Sequence, residues 1–184
     1  MIFSVAEVML YGGGTGENQM EYGDYEFEYR DLGAGAGVLV TSINGQEIEF
    51  QNLPTQVGYI EVDPSAIFLM KNSKQIALLS DPNMSIDDAS MVDYARLQLG
   101  LAIPEKAFNA MDKSDERYQL PVLNCSVATP QMPVVVFNMS NDTRITTDGY
   151  CVILHGQERD LMRLKDRVIF EYYNILDNGT VVDE

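Results

Sequence analysis

Residues 38–50 read Val38-Leu-Val-Thr-Ser-Ile43, then Asn44-Gly45, then Gln46-Glu-Ile-Glu-Phe50. Two alternating segments flank an Asn-Gly pair, and a type I′ turn needs positive φ at both central residues, so this stretch predicts a β-hairpin. Just upstream, Tyr25-Glu-Phe-Glu-Tyr-Arg30 sets Tyr25, Phe27 and Tyr29 on one face and Glu26, Glu28 and Arg30 on the other, the period of a half-buried strand. Further strands are expected over Val57–Val62, Ala66–Met70 and Ile76–Leu79, with Asp63-Pro64 as the corner between the first two. Short strands separated by frequent turn signals predict a small antiparallel barrel or sandwich.

Beyond residue 80 the period changes. Ser85 is a helix-capping residue, Ala89, Val92, Ala95 and Leu99 follow at helical spacing, and Gly100 ends the run. Pro104 suits the first turn of a second short helix through Met111, and residues 112–117 form an exposed connection. Pro133–Phe137 and Cys151–Leu154 read as buried strands, the latter introduced by Asp148-Gly149. Leu161, Leu164, Val168, Tyr172 and Ile175 form the apolar stripe of a last helix, which Asn178-Gly179 stops. The expectation is an α+β protein, with an antiparallel β-rich N-terminal half followed by a helix–strand–helix C-terminal region. If there are two units they are residues 1–80 and 81–184; one continuous domain is the alternative.

Composition narrows function by exclusion. The 184 residues carry 28 acidic and 12 basic side chains, a formal charge of −16. Residues 1–80 hold eleven acids and three bases and residues 81–184 seventeen and nine, so each part is −8. Such a surface repels phosphate backbones and anionic lipid headgroups, which argues against nucleic-acid and membrane partners. The hydrophobic fraction of 46% supports a sizeable core. No apolar run reaches the roughly 18–20 residues of a membrane span. Met1-Ile-Phe-Ser-Val-Ala-Glu7 lacks the basic start of a signal peptide, so a cytoplasmic location is the default expectation.

Two features point the other way. Cys125 and Cys151 are the only cysteines, without a C-x-x-C or zinc-ligand pattern. They are either two small buried thiols or a disulfide, which needs an oxidising compartment or a thermophile's cytoplasm. Asn-x-Ser/Thr occurs at Asn83, Asn124, Asn138, Asn141 and Asn178. Each is a glycosylation acceptor in a secreted chain, although Asn and Ser also serve as turn and cap residues.

The motifs that suggest chemistry are incomplete. Gly12-Gly-Gly-Thr-Gly16 lacks the Lys of a phosphate loop, and Gly33-Ala-Gly-Ala-Gly37 reads as a bend or bulge. The oxygens of Asp81, Asn83, Ser85 and Asp87 resemble the start of a calcium loop, but Ile86 replaces its glycine and Val92 its bidentate glutamate. Glu26 and Glu28, like Glu47 and Glu49, belong to solvated strand faces. His155 is the only histidine. It rules out a histidine metal set and leaves a Cys–His pair with Cys125 or Cys151 as the only nucleophilic arrangement of that type.

Arg159, Arg163 and Arg167 recur at i, i+4 and i+8 on the last helix, with Lys165, Asp160 and Asp166 between them. They form either a salt-bridged solvent face or a docking ridge for an acidic surface. No catalytic residue, cofactor site or metal site emerges. The leading expectation is therefore a non-catalytic structural or protein-interaction subunit of a homo- or hetero-oligomeric assembly. The alternatives are an enzyme or small-ligand binder with a pocket lined by residues such as Tyr25, Cys125 or His155, and an extracytoplasmic glycoprotein module.

Overall fold

A computed structural model describes residues 18–33, 36–80, 86–114 and 119–176, without the side chains of residues 80 and 86–88. The expectations on Gly12–Gly16, on the Asp81–Asp87 oxygens and on Asn178-Gly179 fall outside it.

Strands β1 (Gln19–Tyr22), β2 (Tyr25–Gly33), β3 (Ala36–Ile43) and β4 (Gln46–Phe50) form an antiparallel meander in chain order. The hairpin is the one that Asn44-Gly45 dictates: Ile43 pairs with Gln46, and φ is 53° at Asn44 and 81° at Gly45. Among the described residues, the outer strands of the meander are β1 and β4. After it come α1 (Pro54–Val57), β5 (Glu61–Val62), α2 (Pro64–Asn72), β6 (Ile76–Ser80), α3 (Ile86–Ala102) and β7 (Ala107–Met111). Then follow β8 (Val134–Met139), β9 (Arg144–Asp148), β10 (Cys151–Gly156) and α4 (Leu161–Tyr172).

The second sheet has the order β5-β9-β10-β8-β6-β7. Strands β7, β6, β8 and β10 run parallel, β9 is antiparallel to β10, and β5 is parallel to β9. The molecule is therefore α+β, an antiparallel sheet followed by a mixed sheet with helices. Three local expectations are corrected. Most of 57–62 and all of 66–70 are helix or turn, because Pro54 and Pro64 start helices and the Asp63 carboxylate accepts from the Ser65 N–H at 2.9 Å, capping α2. The segment after Pro104 is strand β7, which pairs with β6 across the α3 crossover.

Helix α4 lies between the two sheets. On the meander side the Phe170 ring stacks on Phe50, centroids 4.4 Å apart, and meets Phe27 edge-on at 6.1 Å. On the other side Leu161, Leu164 and Val168 pack with Val152 and Leu154 of β10 in the same cluster. The approach is close enough that a Cβ at Gly156 would sit 2.7 Å from Leu164 Cδ1. Described residues before and after position 80 both contribute to the main core cluster, and β5 and β6 pair with β9 and β8.

Being covered on two sides, α4 buries charge. Lys165 and Asp166 are both 0% exposed and form an ion pair. The Lys165 ammonium also donates to Gln51 Oε1 (2.8 Å) and the Glu49 carbonyl (3.2 Å). Asp166 Oδ2 accepts from the Gln51 and Asn52 N–H groups and from Asn52 Nδ2, at 2.7–3.0 Å. These bonds clasp the end of β4 to α4 and satisfy groups that burial would otherwise leave costly.

Candidate functional site

The far face of the second sheet carries a smaller apolar cluster of Ala77, Leu79, Ala110, Val134 and Cys151, with Phe108, Leu123, Ala128, Val136 and Ile153 against it. It is covered by a strap, residues 119–133. The strap is tied to β7 by Met111 N–H to Pro121 O (3.0 Å) and Leu123 N–H to Met111 O (2.9 Å). At its other end the Gln131 carbonyl accepts from the Lys74 and Gln75 N–H groups. In the middle, Cys125 is joined to Cys151 at the start of β10 by a disulfide, with Cα atoms 5.3 Å apart. Both sulfurs being bonded, neither cysteine supplies a thiolate to a Cys–His pair.

Beside the strap, at the carboxyl ends of β6, β7 and β8, is a crevice of about 650 Å³. Leu79, Val136 and Met139 supply apolar surface, and Asp112, Asn124, Ser126 and Asn138 supply polar groups; Cys125 and Phe137, whose ring packs in the main core, complete the described lining. Its position follows from topology. Helix α3 carries the chain from β6 to one edge, whereas β8, on the other side of β6, leads on to β9 and β10. The connections diverge between β6 and β8, and open sheets with parallel strands bind ligands at such points. Asn124 Oδ1 accepts from the Ser126 N–H at 3.0 Å and from its hydroxyl, which fixes the turn at Cys125.

His155 stands behind this rim. Its Nδ1 lies 3.1 Å from Asn138 Nδ2 and its Nε2 2.8 Å from Thr146 Oγ1. With Asn138 donating to Nδ1, the proton resides on Nε2 and is donated to Thr146, so the ring has no free lone pair to activate that hydroxyl. Burial, reinforced by Arg144, pushes the His155 pKa down, which keeps the ring neutral at pH 7. The arrangement is a hydrogen-bonded row across β8, β10 and β9, and it does not form a nucleophile–base pair. Among the described residues, no group of three or more His, Cys, Asp or Glu is placed to hold a metal ion.

The three arginines do not share a surface. Arg159 is exposed, Arg163 bonds Asp160 at 3.3 Å, and Arg167 is buried against Glu171 at 2.8 Å. Arg167 turns under the neighbouring layer because α4 is covered on two sides, so of the three only Arg159 and Arg163 lie on the exposed side. The solvated glutamates behave as their alternation predicts: Arg30 bridges Glu28 (3.0 Å) and Glu47 (2.7 Å) on the outer meander face. Tyr25 faces inward and donates to the Tyr173 carbonyl, away from the crevice.

A second feature lies on α3. Val92, Ala95, Leu99 and Ala102 are buried, whereas Tyr94, Leu97 and Leu101, at i, i+3 and i+7, are 41%, 50% and 56% exposed. Sequence reading took this helix by its buried face and passed over the outer stripe. It also missed Asp112, Asn138 and Met139 as crevice residues. The available signal was the strand–helix–strand pattern of residues 76–111, which implies a parallel pair and a site at its carboxyl end. No family model, curated protein or solved structure matches the chain.

Proposed function

We propose that the chain is a non-catalytic interaction subunit that assembles with a second copy through the outer face of α3. The observation that carries this reading is the exposed Tyr94–Leu97–Leu101 stripe on a helix whose opposite face is already core. Three apolar residues on two turns make a self-complementary seam for a helix pair related by a two-fold axis. The net charge of −16 opposes such pairing at low ionic strength, so association strengthens as salt screens the repulsion. The Cys125–Cys151 disulfide favours an oxidising compartment over the cytoplasmic default. Sedimentation velocity at low and high salt tests the reading. The wild type is expected to dimerise at high salt, and Leu97→Asp/Leu101→Asp to remain a folded monomer. A wild type monomeric at every salt and protein concentration tried defeats it.

A second reading, a small-ligand binder, is favoured by one specific observation. The crevice at the carboxyl ends of β6, β7 and β8 combines apolar surface with a few polar groups at a topological switch point.

A further inference from the structure

We infer that this crevice takes a small organic cation, an amine or ammonium group carried on an apolar body. The inference rests on the small-ligand reading and adds the class of ligand. At about 650 Å³ the space falls within the range of roughly 300–1,000 Å³ typical of ligand sites. Leu79, Val136 and Met139 offer surface for an apolar body, and the Met139 thioether is polarisable and adaptable.

The polar groups set the sign of the ligand. Asp112 is the one charged side chain among the described lining residues, so none of those residues offers a cation to a carboxylate or phosphate. Two of the rim's side-chain hydrogens are engaged already. Asn138 Nδ2 is directed to His155 Nδ1, and the Ser126 hydroxyl to Asn124 Oδ1. Asn138 Oδ1, the lone pairs of Ser126 Oγ and the two oxygens of the Asp112 carboxylate remain as acceptors, against the Asn124 amide and the second Asn138 N–H as donors. An acceptor-rich rim over an apolar floor matches a donor-rich, positively charged head. His155 stays neutral behind Asn138 and adds no opposing charge. The overall charge of −16 concentrates cations near the surface.

Amide NMR titration with phenylpropylamine, phenylpropanol and phenylpropanoate separates the two claims. The three probes share an apolar body and differ in the charge of the head. The amine is expected to move the Leu79, Ser126, Val136 and Asn138 resonances and to bind about tenfold more tightly than the alcohol, the scale of one charge-assisted hydrogen bond. Asp112→Asn should lower amine affinity to that of the alcohol. High salt should do the same in the wild type, which keeps the test independent of how the variant folds. If the alcohol or the carboxylate binds as tightly as the amine, the cation assignment is overturned and the crevice stands as a ligand site. If none of the three moves those resonances, the small-ligand reading itself is overturned.

Discussion

Residue by residue, the part of this chain least legible in the sequence is the charge inside α4. Lys165, Asp166 and Arg167 sit among other charged residues and read as a solvent face. Burial of such groups follows only when a second layer covers the helix, and that depends on where the meander docks. The structure predicts a specific energetic pattern. Asp166→Ala leaves the Lys165 ammonium buried without its counter-ion and removes the acceptor for the Gln51 and Asn52 N–H groups. It should cost about 3–5 kcal/mol, whereas Lys165→Met with Asp166→Leu should cost less, because no lone charge remains. Urea denaturation of the two variants checks this; an Asp166→Ala protein as stable as wild type would refute the clasp. His155 supplies a pH dependence. Its native pKa lies below the ordinary value of 6.5 through burial and Arg144, so between the native value and 6.5 the unfolded chain binds more protons than the native one. Stability is then complete above pH 6.5 and is lost as the pH falls through the native value. Melting temperatures across that window should show the slope in wild type and a flatter line in His155→Gln; equal slopes would mean that the ring is not held neutral.

At the scale of elements, the hairpin, β2, β10 and α4 were legible because each has a local cause: the Asn44-Gly45 turn, the Tyr25–Arg30 alternation, the Cys151–Leu154 run and the Leu161–Val168 stripe. Helices α1 and α2 were not, although the signal for α2 was present. Asp63-Pro64-Ser65 is a cap followed by a proline in the first turn, and the apolar run Ala66–Met70 has no alternation to support a strand. Strand β7 was missed because Pro104 reads as the first turn of a helix, whereas the segment pairs with β6, some thirty residues earlier. The legible helix also gives a strong test. Leu164 is fully buried and packs close to Gly156, the last residue of β10. Leu164→Asp places an unpaired carboxylate in that contact and should cost several kcal/mol, a large share of a typical 5–15 kcal/mol stability. Thermal unfolding is the measurement, and a variant that melts with wild type would show that the stripe does not face the core.

For the whole molecule, the crevice and the core depend on contacts that no local pattern encodes. The candidate site draws on β6, β7, β8 and the strap, and sequence reading held only its isolated parts: a cysteine, two Asn-x-Ser motifs and a histidine. What holds the strap against the sheet then decides the stability of the whole. Its disulfide joins residues 26 apart in sequence, and closing a loop of that size in the unfolded chain stabilises by roughly 3–4 kcal/mol in the chain-entropy model. The strap also keeps hydrogen bonds to β7 and to the Lys74-Gln75 segment, and Leu123 and Ala128 keep their packing on the second apolar cluster. Reduction is therefore expected to lower the unfolding free energy without unfolding the protein at room temperature, because the main core around α4 lies on the other face of the sheet. Urea denaturation with and without a reducing agent measures the difference. Cys125→Ser/Cys151→Ser should match the reduced wild type and be insensitive to reductant. Equal midpoints for oxidised and reduced wild type would show that the bond is absent in solution, and with it would go the support for an oxidising compartment. A reduced protein that loses its fold entirely would instead make the strap part of the folding core, which the separation of the two apolar clusters argues against.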